Sequence, residues 1–157
     1  MNKLIVIVSC FFALIIVICS IIYFYPRNGK MLCYYKSSND VMKTESTYLI
    51  KFKNRYVVNL YSKEIIISND DKMLEQYQNT LELSYLKYNT LDNYYNSVTL
   101  NDNELTTITK INYEKLDIDK FISIDNSNKN LFSNKKIKLT KLKKIYTDNG
   151  AKCKYIY

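Results

Sequence analysis

Of the residue types that carry chemistry in proteins, this chain has cysteines, carboxylates and lysines but no histidine. That removes the usual base for a serine or cysteine nucleophile and the commonest zinc ligand. Four cysteines are present. Cys10 and Cys19 sit inside an apolar run and read as small apolar residues facing lipid. Cys33 and Cys153 stand at opposite ends of the polar remainder. An even pair with no other cysteine nearby suits a disulfide in an oxidising compartment, whereas a metal site would want more ligands. Such a bridge would close a loop of about 120 residues, worth up to about 4–5 kcal/mol in the chain-entropy model.

Paired acids occur at Asp70-Asp71 and at Asp117/Asp119. The first pair reads as charge at a helix start. The second falls on one strand face or in a helical turn, and nothing else converges on it. There is no Gly-rich phosphate loop, no Walker motif and no H-E-x-x-H. The expectation is a non-enzymatic chain without cofactor or metal, acting by binding or scaffolding. The alternative is a cell-envelope enzyme using carboxylates, for example on cell-wall glycans, because carboxylate pairs meet only in the fold.

The formal charge is +8, and the basic character collects at the carboxy-terminal end. From residue 129 onward the lysines face a single acid, Asp148. Lys135, Lys136, Lys138, Lys141, Lys143 and Lys144 are the candidate contacts. They read as a solvated helix face or, functionally, as a surface for anionic lipid or wall polymer, each lysine near a charged surface being worth about 1 kcal/mol. Nucleic acid is not an expected ligand of an external domain, and no protein partner can be named.

What positions these residues begins with residues 4–25, LIVIVSCFFALIIVICSIIYFY, a run without charge, glycine or proline. As a helix at about 1.5 Å per residue it would cover roughly 33 Å, enough for a hydrocarbon core of about 30 Å. A cleaved signal would have a shorter apolar region and small residues at its end, and Cys10 comes too early in the run for a lipoprotein signal. The run is therefore expected to be a single-pass anchor in the lipid bilayer. Residues 1–30 would form a cytoplasmic stub, transmembrane helix and short linker, and residues 31–157 an extracytoplasmic α+β domain. The charges flanking the run do not fix its orientation; the cysteine pair places the amino terminus in the cytoplasm and the domain outside.

In the remainder, sixteen tyrosines against two glycines and one proline argue for a packed domain rather than a disordered stalk. Residues 31–37, 44–53 and 56–67 read as an antiparallel meander, the second with Tyr48, Ile50 and Phe52 alternating on one face. Leu74, Tyr77, Leu81, Tyr85 and Tyr88 recur at helical spacing, predicting one long helix over 70–89. A tyrosine stripe of this kind packs on a sheet or, alternatively, stacks against sugars or bases. Residues 96–100 and 105–113 form a hairpin, and 116–122 one or two helical turns. Residues 125–136 read as a mobile loop, 139–148 as a short helix ended by Asn149-Gly150, and 152–157 as a closing strand. The fold class expected is α+β: a transmembrane helix, then a small antiparallel sheet with one long and one short helix packed on it.

An early strand cysteine, a meander, a long helix, a hairpin ending in I-N-Y-E-K-L-D and a final short helix leading into Asn149-Gly150-Ala151-Lys152-Cys153 form an order that resembles the YehR-like family of small bacterial lipoproteins. There an N-G-x-x-C ending follows the last helix. The resemblance covers most of residues 31–155, and Cys33 and Cys153 are the matching positions. It implies a cell-envelope protein of this fold and no particular activity. The chain departs from the family at its amino terminus, where a usable lipobox is missing, which favours the helix as anchor over lipid attachment.

Overall fold

The computed structural model describes residues 27–156. Six strands alternate with short helices: β1 (Gly29–Ser38), β2 (Met42–Lys53), β3 (Tyr56–Ser68), α1 (Asp71–Leu86), β4 (Tyr94–Asn101), β5 (Glu104–Asn112), α2 (Ile118–Ile124), a 3₁₀ turn (Asn126–Leu131), α3 (Leu139–Asp148) and β6 (Lys152–Ile156). The strands make one sheet in the order β4-β5-β3-β2-β1-β6, with every neighbouring pair antiparallel. The first and last strands are therefore neighbours.

Period-two alternation decides which side of the sheet is covered. On β1, Met31 and Cys33 are buried; opposite them on β2 are Ile50 and Tyr48, and beyond those Leu60 on β3 and Ile111 on β5. The helices pack on this face in three clusters. Ile137 with Leu139 and Leu142 of α3 covers Met31, Cys33, Ile50 and Phe52. Ile118 and Phe121 of α2, with Tyr88 and Leu91, cover Ile111. Leu74 of α1 covers Ile66 and Leu105. Aromatic rings join the second cluster to the loop: Tyr88 stacks on Tyr94 at 4.9 Å, and Phe121 meets Phe132 edge-on at 6.0 Å.

Local chemistry explains the boundaries. The β2–β3 reversal places Asn54 and Arg55 at φ 51° and 66°, the left-handed pair that a two-residue hairpin turn demands. The Asp70 side chain accepts the Met73 N–H at 3.0 Å and caps α1. Gly150 at φ 86° follows the Asn149 cap of α3, where a side chain would be strained.

The expected architecture is corrected at several points. The described chain is a six-stranded antiparallel sheet with few helices: three short α-helices and a 3₁₀ turn, not one long and one short helix. Among the described residues no helix is long and apolar enough to cross a membrane. The longest, α1, has 16 residues, about 24 Å of axis, and carries Asp71, Lys72, Glu75 and Glu82. The transmembrane element of the expected fold, and the localisation as a single-pass membrane protein with the amino terminus cytoplasmic and the domain outside, therefore find no support. Residues 4–25, on which that expectation rested, lie outside the described residues. The segment read as a mobile loop is partly built: the 3₁₀ turn fills residues 126–131, and the half-buried Leu131 and Phe132 pack against the core.

Candidate functional site

Cys33 and Cys153 lie directly opposite on β1 and β6 and form a disulfide across 120 residues of sequence. Cys33 is fully buried and faces the helices. The bridge ties the closing strand to the sheet and leaves no free thiol at either position. Its chemistry is structural, and it suits an oxidising compartment.

The acids singled out in the sequence hold the fold. Asp70 and Asp117 cap α1 and α2, and Asp119 pairs with Lys135. Asp125, which no pattern had marked, accepts from the backbone N–H and hydroxyl of Ser127 and from the Tyr88 hydroxyl at 3.2 Å, with Lys87 at 3.4 Å. The two Ser127 bonds come first in holding its carboxyl down at about 2. It ties the end of α2 to the chain that leaves α1.

The carboxy-terminal lysines have different local neighbours. Lys135 and Lys136 line a recess of about 670 Å³ with Tyr56 and Glu114, and Lys136 lies over the Tyr56 ring at 5.4 Å. Lys138 occupies the cap position of α3. Lys141 donates to the Asn130 carbonyl, Lys143 sits 5.0 Å over the Tyr155 ring, and Lys144 bridges Asp148 at 2.9 Å. Five of the six side chains have a local partner, Lys135 through Asp119, while Lys138 makes no side-chain cap hydrogen bond.

A different set of lysines converges. The sheet face turned away from the helices is open, and the strand registers place Lys30, Lys51, Lys63, Lys110, Lys152 and Lys154 on it. Lys36 and Lys43 share this face but are taken up by Glu45 at 2.7 and 2.9 Å. Those two hydrogen bonds pull the Glu45 carboxyl down to about 2. For the first six, no carboxylate lies within ion-pair distance among the described residues. Lys30 and Lys51 are direct cross-strand partners, an arrangement that like charges make unfavourable.

Between these lysines the face is concave. A groove of about 530 Å³ is lined by Lys30, Leu49, Lys51, Tyr61, Tyr95 and Lys110. Tyr95 is half-exposed, with Lys110 poised 5.3 Å over its ring. Leu32, Leu49 and Tyr61 lie side by side in register as an apolar floor. Cations along the rim and flat apolar surface at the base form a chemistry suited to a chain that alternates negative groups with a carbon skeleton. Among the described residues, no group of three or more metal-ligating side chains assembles anywhere.

Sequence reasoning missed this face because the signal is spread over five strands. Each lysine occupies an outward position of an alternating strand, which reads locally as ordinary solvation. Only pairing brings them together.

Comparison with family models and with curated proteins returned no match. Two solved structures share the fold. One is the NMR structure of the YehR protein of E. coli: 18% identity, TM-score 0.55, 83% of this chain and 94% of that one. The other is the NMR structure of a protein from Streptococcus pneumoniae TIGR4: 19% identity, TM-score 0.51, 83% of this chain and 88% of that one. At these identities the likeness is one of fold: the chain has a YehR-like fold.

Proposed function

We propose that this chain is a non-catalytic binding domain of the cell envelope whose ligand is a linear anionic polymer, held along the open face of the sheet. The observation that carries the reading is the set of lysines at the aromatic groove, Lys30, Lys51 and Lys110, that have no ion-pair partner among the described residues, above all Lys30 opposite Lys51. The positive potential of such a groove concentrates polyanions, and a bound chain relieves the repulsion between the lysines. A groove running across the face of the sheet fits a chain better than a planar surface, which favours polymer over headgroups. The disulfide supports an oxidising location. The resemblance to YehR-like envelope lipoproteins, beyond the shared fold, belongs to the same proposal.

The test is titration of the full-length protein with fluorescent poly(glycerol phosphate), with dextran as the uncharged control. Saturable binding that weakens as salt rises from about 50 to 500 mM is expected, since screening shortens the reach of these charges. Equal binding of dextran would contradict the proposal. So would preference for phosphatidylglycerol vesicles over the polymer.

A further inference from the structure

On the covered face the sheet is not apolar throughout. Tyr35 on β1, Ser46 on β2, Glu64 on β3 and Thr107 on β5 stand side by side in register, a polar row beside the row that contains the disulfide. Ser46 is 1% exposed and Thr107 5%. Over part of this row the cover is incomplete, and a cavity of about 250 Å³ remains, lined by Tyr35, Ser46, Tyr48, Glu64, Tyr146 and Asn149. Tyr48 and Tyr146 form one wall as a stacked pair, ring centroids 4.3 Å apart and planes 25° from parallel.

Glu64 is the unusual member. Among the described residues no lysine or arginine pairs with it and no donor bonds to its carboxylate. Burial alone acts on it, pushing its carboxyl above the usual range. A half-buried carboxylate without a partner is costly, whereas the more exposed Glu45, Asp119, Asp125 and Asp148 each pair with a lysine. The acidic group, the aromatic wall and the space between them have one chemistry in common: all three suit a cation with a carbon skeleton. A metal ion is a poor match, because Glu64 is the only carboxylate lining the cavity and hard cations want several oxygen ligands. An anion would be repelled.

We infer that this cavity is a binding site for a small alkylammonium ligand, its nitrogen against Glu64 and its methylenes between Tyr35 and the wall formed by Tyr48 and Tyr146. The volume is below that of pockets for drug-sized molecules, so the ligand is a head group with a short chain rather than a folded partner's segment. The site lies on the opposite face of the sheet from the lysine groove. The two ligands have opposite charge and do not compete.

The chain has no tryptophan, and tyrosine ring resonances are the direct reporters. Full-length protein is titrated by NMR with n-propylammonium chloride and, in parallel, with 1-propanol, which matches its size without the charge. The expected result is a saturable shift of the Tyr48 and Tyr146 ring protons with propylammonium, at least about tenfold weaker with 1-propanol. Glu64→Gln, which keeps the side chain's shape, is expected to weaken propylammonium binding by about tenfold or more while leaving the circular dichroism spectrum unchanged. Tyr146→Leu, which removes the aromatic wall but not the apolar cover of α3, reads the same loss without touching the carboxylate. Equal response to 1-propanol, or unchanged binding by either folded variant, overturns the proposal. Tighter binding of N-acetyl-lysinamide than of propylammonium would move the occupant to a protein side chain and overturn the small-ligand form.

Discussion

Glu64 and Lys51 lie on neighbouring strands and point to opposite faces, and neither finds a counter-charge among the described residues. Their effects on stability follow directly. Because burial raises the folded pKa of Glu64 above its unfolded value near 4.5, its contribution is fully present below that value and is lost as pH rises through the folded pKa. We predict that Glu64→Gln raises the melting temperature at pH 7 and that the gain vanishes near pH 4, measured by thermal melts across that range. Lys51→Thr is predicted to stabilise the unliganded protein by about 0.2–0.5 kcal/mol in urea melts, since it removes one of two like charges placed directly opposite. Burial also raises the hydroxyls of Tyr94, Tyr113 and Tyr146 well above the ordinary tyrosine value of 10.0. Their stabilising share is intact below about pH 10 and is lost above it. An absorbance titration at about 295 nm should therefore show Tyr94, Tyr113 and Tyr146 ionising only as the protein unfolds.

The elements divide into those whose reasons are local and those whose reasons are not. Alternation at Tyr48, Ile50 and Phe52 marks β2 in the sequence, and the acids at 70 and 71 mark the start of α1, with Asp70 as its cap. The stop at Asn149-Gly150 is equally visible, because the backbone there needs glycine. The far end of α1 is not: Tyr88 keeps the helical spacing but lies beyond Leu86, in the turns that carry its ring onto Tyr94. The 3₁₀ turn was hidden in a stretch of Asn, Ser and Lys, since its order comes from Asp125 and from Phe132 packing on Phe121 and Tyr113. The groove was the least legible feature, because no single strand contains it. Asp125→Ala should expose this dependence. The lowered carboxyl stabilises above about pH 4, and that share is lost as pH falls toward 2. The variant is predicted to melt earlier at pH 7 and to lose less of its remaining stability on acidification than the parent does, read by circular dichroism.

At the scale of the molecule, one sheet separates two chemistries. The helices close one face around the aromatic clusters and leave a small acidic cavity; the other face stays open and basic. The disulfide makes β6, with Lys152 and Lys154, a permanent part of that basic face. Reduction is predicted to remove up to about 4–5 kcal/mol of stability, the chain-entropy value for a loop of this length, and denaturant melts with and without reductant measure it. It should also weaken polymer binding by freeing the edge strand. The most direct measurement compares two charge reversals in poly(glycerol phosphate) titrations at low salt. One is Lys30→Glu/Lys51→Glu/Lys110→Glu on the open sheet, and the other is Lys141→Glu/Lys143→Glu/Lys144→Glu on α3. The account predicts that the sheet variant loses at least about tenfold in affinity and that the helix variant changes by less than about threefold, both remaining folded. Loss of binding in the helix variant with retention in the sheet variant would contradict it.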